Sequence, residues 1–160
     1  MKVQLDMSKT DKKLLVIFDM DGTLVDVTKI RHFVEGKKKN FDIFHNESIN
    51  CPPIEKVLIL NKNLKKIADI YIVIFTGREE KYRDLSEKWL TINNVYYDRL
   101  LMRQNNDFRS NVVIKKELYE TFSSKFSPYL AIDDTPDLRK LWIEVGFLKV
   151  YDPENFTHNY

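Results

Sequence analysis

The stretch Leu14-Leu15-Val16-Ile17-Phe18-Asp19-Met20-Asp21-Gly22-Thr23-Leu24-Val25 decides the fold. Its first five residues are a continuous apolar run rich in β-formers, the pattern of a strand buried on both faces. Two carboxylates, Asp19 and Asp21, leave the carboxyl end of that strand, and Gly22 lets the chain turn sharply away. Similar runs recur downstream. Ile70 to Phe75 is a second strand, closed by Thr76-Gly77-Arg78. Asp98 to Met102 is a short third. Tyr129-Leu130-Ala131-Ile132 is a fourth, ending at Asp133-Asp134, and Phe147 to Val150 is a last one.

Helical spacing fills the gaps between them. Val57, Leu60, Leu64 and Ile67 mark a helix starting near Pro52-Pro53. A helix from about Glu79 to Thr91 carries Tyr82, Leu85, Trp89 and Leu90, and another runs from Asn111 to about Ser124. The final helix has Thr135 as its cap and Pro136 at its first position, and it stops at Gly146. Apolar strands alternating with amphipathic helices predict an α/β fold, a parallel sheet with helices on both faces. Ligands of such sheets sit beyond the carboxyl ends of the strands. Asp19, Thr76 and Asp133 each occupy such an end, so three residues far apart in sequence should converge.

Composition bounds the rest. The 160 residues amount to one domain. Twenty-six Lys and Arg against 24 Asp and Glu leave a formal charge of +2, too even to mark a nucleic-acid binder by charge alone. The single cysteine, Cys51, excludes an internal disulfide and fits a reducing compartment. No run approaches the ~18 apolar residues of a membrane span, and no signal-peptide core is visible, so a cytoplasmic location is expected. Lys-, Asn- and Ile-rich usage fits an AT-rich genome such as a phage's, which would make the location the host cytoplasm. Residues 1–12 are expected as a loose lead, 13–152 as the domain and 153–160 as a tail. A polar insertion at about 27–52 holds Lys37-Lys38-Lys39 and an apolar knot at Phe41, Ile43 and Phe44. His32, His45 and His158 lack zinc-ligand spacing.

Asp19 and Asp21 suit phosphoryl chemistry. Two carboxylates facing one crevice repel, and a divalent cation relieves the repulsion; hard oxygen ligands in small number suit Mg²⁺. A carboxylate beside that cation can attack phosphorus, while the second can protonate the leaving alkoxide and later activate water.

These motifs resemble the haloacid dehalogenase (HAD) superfamily of phosphotransferases. The first motif is Asp19 to Val25. The second is the strand-end Thr76, the third a lysine, Lys115 or its neighbour Lys116, and the fourth is Asp133-Asp134. All four arrive in family order over residues 14 to about 150. The resemblance implies a Rossmann-like HAD fold with only a small cap insertion. It implies Asp19 as nucleophile, Asp21 as general acid/base, and Thr76 and Lys115 as phosphoryl ligands. The metal would take Asp19, the Asp21 main-chain carbonyl, Asp133 and Asp134.

Within the superfamily the chain is most similar to the 3′-phosphatase domain of phage-type polynucleotide kinase-phosphatase and its stand-alone relatives. Thr76-Gly77-Arg78, the segment from Leu101 to Lys115, and Asp133-Asp134-Thr135-Pro136 with Trp142 carry that similarity. It implies Arg31, Gly77, Arg78, Arg103, Arg109 and Asn111 as contacts to substrate phosphate or base. Asn111 departs from the group, which has an Asp there. No GxxxxGK[ST] occurs, so the chain carries no P-loop kinase half. The implied reaction is Mg²⁺-dependent phosphomonoester hydrolysis through an aspartyl-phosphate. The first expected substrate is a nucleic-acid 3′-phosphate end. A (deoxy)nucleoside 5′-monophosphate (a 5′-nucleotidase activity) and a catalytically silent binding module are the alternatives. A nucleotide or nucleic-acid end is thus the expected partner, with no obligate protein partner and no membrane.

Overall fold

A computed structural model describes residues 12–156. The expected lead (1–12) therefore lies almost entirely outside the described residues, as do the last four residues of the expected tail. Five strands form one sheet: β1 Leu14–Asp19, β2 Ile70–Glu79, β3 Arg99–Arg103, β4 Ser127–Ile132 and β5 Lys149–Tyr151. Their order is β3-β2-β1-β4-β5, and every pairing is parallel. Five α-helices accompany them: α1 Phe41–Glu47, α2 Glu55–Leu64, α3 Arg83–Ile92, α4 Asn111–Glu120 and α5 Pro136–Glu144.

The alternation of side chains along β1 explains the two-faced core. Val16 and Phe18 join one apolar cluster with Val57 and Leu58 of α2 and Trp89 and Leu90 of α3. Leu15 and Ile17 join the other with Tyr119 of α4 and Leu138, Leu141 and Trp142 of α5. The strand order reverses about β1, so a crevice opens beyond its carboxyl end between β2 and β4. No helix among the described residues is long and apolar enough to cross a membrane.

Several boundaries differ from the sequence reading. β2 does not stop at Thr76; it runs on to Glu79, which pairs with Arg103 after a register irregularity. Helix α3 therefore begins at Arg83. Helix α2 begins at Glu55, because the prolines serve elsewhere: Val25 bridges to Pro53, and the Asp26 amide donates to the Pro52 carbonyl at 2.9 Å. Ile67 falls beyond α2 and is exposed. Helix α4 ends at Glu120, short of Ser124. Thr135 stands at the cap position of α5 without a capping bond from its side chain.

The insertion contains α1, a helix too short for periodicity to reveal. Asn40 caps it by accepting from the Ile43 amide at 3.0 Å. Of the apolar knot only Phe44 is buried; Phe41 and Ile43 face solvent. At the other end of the chain, Pro153 is buried and Phe156 packs against the first cluster.

Trp89 joins these parts. It is fully buried in α3, and its indole Nε1 donates to the Cys51 carbonyl at 2.8 Å, tying the insertion to the sheet. Trp89→Ala is expected to destabilise the fold by roughly 3–5 kcal/mol in urea unfolding. Trp89→Phe should lose less, mainly the unpaired Cys51 carbonyl, on the order of 1–3 kcal/mol.

Candidate active site

The site grows from the turn after β1. The amides of Thr23, Leu24 and Val25 all donate to the Met20 carbonyl, at 3.2, 2.9 and 2.9 Å. This tight knot needs Gly22 at φ +84°, and a Cβ there would also stand 2.8 Å from Asp134 Cγ. Thr23, fully buried, ties the knot to the next strand. Its hydroxyl donates to Asp19 Oδ2 at 3.3 Å and accepts from the Asp134 amide at 3.1 Å.

Three carboxylates then converge. One oxygen each from Asp19, Asp133 and Asp134 lies within 4.8 Å of the others. Lys115 reaches them from α4. Its Nζ is 2.6 Å from Asp19 Oδ1 and 3.1 Å from Asp133 Oδ2, and its side chain is 1% exposed. Lys116, one residue on, is exposed. Asp133 also accepts from Trp142 Nε1 at 3.3 Å and from the Thr135 amide at 3.0 Å.

Asp21 stands apart from this group. Arg78 grips it in a fork, Nε to Oδ2 at 2.8 Å and Nη2 to Oδ1 at 2.5 Å. The fully buried Arg78 also donates from Nη1 to Ser86 Oγ at 3.0 Å. The guanidinium expected as a substrate contact is thus turned to Asp21, because burial requires a paired charge. Thr76 is buried, and its hydroxyl oxygen accepts from the Arg78 amide at 3.2 Å. It does not cap α3, which starts seven residues later.

The environments push the carboxyls apart. Burial pushes Asp19 well up, against the pull of Lys115. Burial also pushes Asp21 up, but Arg78 outweighs it and holds that carboxyl below its ordinary range. Burial and the neighbouring Asp133 push Asp134 up. Burial works against the Lys115 charge, yet Asp133 and Asp19 overcome it and the ammonium is held above its ordinary value.

The arginines of the loop after β3 line the crevice and are also engaged within the loop itself. Arg103 donates to the carbonyls of Gly77 (2.9 Å), Asp107 (2.7 Å) and Arg109 (2.7 Å), and to the Asn111 side chain. It builds the loop and at the same time lines the crevice beside Asp19 and Asp21. Arg109 pairs with Asp107 and Glu117, each at 2.7 Å. Asn111 therefore supports Arg103 through its side chain. Gly77 is needed because a Cβ would collide with the Asn111 side chain. Arg31 is half exposed, 3.9 Å from Asp134, and remains at the edge of the crevice.

A cavity of about 460 Å³ opens over Asp19 and Asp21. Its wall includes His45, which the sequence did not single out. His45 is buried against Phe44 and Tyr82, with Nδ1 4.0 Å from Asp21 Oδ2 and no hydrogen-bond partner on that nitrogen. Ser86 was equally invisible, since a helical serine carries no motif. Thr23 could have been read from the Asp-Gly-Thr sequence itself.

Burial pushes the His45 imidazole down from 6.5 to about 4. The unfolded chain therefore binds a proton there that the folded chain refuses. The corresponding stability is complete above about pH 6.5 and declines as pH falls toward 4, by ~3 kcal/mol at most. Urea unfolding across that window is expected to show this slope, and His45→Gln is expected to flatten it.

Residues 13–152 match the model of the polynucleotide kinase PNKP phosphatase domain. No curated protein sequence matches. Among solved structures, a chain of the Pnkp1/Rnl/Hen1 RNA repair complex aligns with TM-score 0.76 and 26% identity, over 92% of this chain and 45% of that one. This chain thus spans less than half the length of that relative. A class C acid phosphatase from Bacillus anthracis shares the fold at TM-score 0.57 and 17% identity, over 79% of this chain and 54% of the other. So does a haloacid dehalogenase-like protein from Streptococcus pneumoniae, at TM-score 0.57 and 13% identity, over 87% and 83%. The expectation of no obligate protein partner finds no support here, since the RNA repair relative is a component of a complex. The family model that matches residues 13–152 makes this chain a member of the PNKP-type phosphatase domain family of the HAD superfamily.

Proposed function

We propose that the chain is a Mg²⁺-dependent phosphomonoesterase, and that its substrate is the 3′-phosphate end of a nucleic acid. One observation carries the reading: Asp19, at the carboxyl end of β1, holds Lys115 at 2.6 Å while Asp21, two residues on, is held separately by Arg78. A nucleophile and an acid/base of the same residue type need such different surroundings.

In the first step an Asp19 carboxylate oxygen forms a bond to phosphorus and the bond to the leaving alkoxide breaks. Asp21 gives that alkoxide its proton. In the second step Asp21 takes a proton from water, the water oxygen attacks phosphorus, and the Asp19 carboxylate is released. Lys115 and the Thr76 hydroxyl meet the charge on the equatorial oxygens. Asp19, Asp133 and Asp134 offer only hard oxygens, a set that fits Mg²⁺, with the Asp21 carbonyl as a further ligand. When bound, the cation neutralises charge shared between these carboxylates and the phosphoryl group.

The similarity to a component of an RNA repair complex supports a strand end over a free nucleotide, and supports action within a larger assembly. The small insertion leaves the cavity open, which suits a chain end. The test is phosphate release with Mg²⁺ from 3′- and 5′-phosphorylated oligonucleotides and from each nucleoside monophosphate. The 3′-phosphorylated strand is expected to react fastest, and Asp19→Asn to lower its rate at least about 10³-fold. Faster release from one monophosphate would make the chain a 5′-nucleotidase instead. Silence across the panel, with the Asp19 variant indistinguishable, would make it a binding module.

Arg78→Lys keeps the charge but loses the fork on Asp21. We expect kcat to fall by about 10²-fold, as for a misplaced catalytic group. Because Arg78 holds Asp21 low, the acid limb of the pH–rate profile should move to higher pH in the variant. An unmoved limb would separate Asp21 from the water-activation step.

A further inference from the structure

Two exposed phenylalanines stand on the rim of the cavity whose floor carries Asp19 and Asp21. Phe108 is 84% exposed and Phe41 is 53% exposed, and both line the cavity. They come from different elements. Phe41 opens α1 of the insertion, while Phe108 sits in the loop between β3 and α4.

Neither ring is exposed through slackness. Arg103 Nη1 holds the carbonyls on either side of Phe108, those of Asp107 and Arg109, at 2.7 Å each. The same loop is pinned to β2 and the turn after it. The Asn106 amide donates to Glu79 at 2.8 Å, and Asn105 accepts from the Lys81 amide at 2.8 Å. The Arg109 amide and guanidinium both bond Asp107. A loop this firmly fixed could have turned Phe108 inward; it holds the ring in water beside the site. In the insertion, Phe41 stacks on His45 with centroids 6.3 Å apart, and three exposed lysines, Lys37 to Lys39, precede it.

We propose that Phe108, together with Phe41, is a stacking platform for the unpaired nucleobase next to the phosphate being removed. Every nucleobase has a flat π-face, so aromatic stacking recognises a base without reading its identity. A paired terminal base stays covered by its neighbour and partner and cannot lie against the rim. The site therefore prefers ends whose last base is unpaired. This rests on the phosphatase reading for the placement of the phosphate, but the platform can be tested without turnover.

The test is binding to the Asp19→Asn protein of an oligonucleotide carrying a 3′-phosphate and 2-aminopurine as its last base. The expected result is quenching of the 2-aminopurine fluorescence by ring stacking. Phe108→Leu, still apolar, is expected to weaken binding by about tenfold and relieve the quenching. Phe108→Tyr, still aromatic, should retain both. A strand with the same phosphate but an abasic last residue should bind the parent and Phe108→Leu alike. The same base paired in a blunt duplex should bind more weakly than the single strand. The 2-aminopurine nucleoside monophosphate separates the two sources of an unpaired base. If it is quenched as strongly as the strand and loses as much in Phe108→Leu, a free nucleotide occupies the platform.

Equal binding by Phe108→Leu and parent, an equal loss on the abasic strand, or no quenching would each overturn the proposal. Quenching that depends on Phe108, in a protein that releases phosphate from nothing, would uphold the platform and overturn the enzyme. Phosphate release that is indifferent to Phe108 would do the reverse.

Discussion

The structure depends on one buried cation. Asp19, Asp133 and Asp134 meet at the dry end of a parallel sheet, where like charges repel strongly and solvation is lost. Lys115 Nζ lies between two of them, and its own burial is tolerable only because both partners are within hydrogen-bond reach. Helix α4 must therefore lie where Lys115 reaches both Asp19 and Asp133, and the loop from β3 must deliver it there. Asn111, Arg103 and Gly77 are explained by that delivery. They hold the loop that begins α4, with Gly77 allowing its close approach to β2.

The second organising feature is the separation of two aspartates by environment. Asp19 and Asp21 are two residues apart, so a strand geometry alone would send them to similar surroundings. The knot at Met20 to Val25 turns Asp21 toward β2, where Arg78 meets it. Asp19 stays with Lys115 and the other carboxylates. Burial acts on both, and the partner decides the direction in which each carboxyl is displaced. Arg78 is in turn held by Ser86 of α3, so the packing of α3 on the sheet reaches Asp21.

Little of the chain is left over for substrate selection. The insertion contributes one short helix, and the loop after β3 contributes an arginine-built turn. Each presents one exposed aromatic ring beside the cavity, Phe41 and Phe108. The relatives in the RNA repair complex are more than twice as long as the part matched here, so more than half of each has no counterpart in this match.

The sequence by itself determined the sheet, its parallel sense, and the ends at which chemistry gathers. Uninterrupted apolar runs at Leu14 to Phe18 and Ile70 to Phe75 can be covered only on both faces, and residues that terminate such runs must share one edge. Asp19, Thr76 and Asp133 were legible for that reason, whereas Lys115 came only with the family resemblance, which left Lys116 open. Tertiary structure alone decided what the arginines do. A guanidinium has the same sequence signature whether it meets a phosphate, a carboxylate or three carbonyls. Only the folded chain shows Arg78 committed to Asp21 and Arg103 to its own loop. His45 and α1 were hidden because seven residues span too few turns for a period to emerge. His45 became part of the site only when the insertion closed over Asp21, where burial outweighs the carboxylate's attraction and keeps the imidazole neutral.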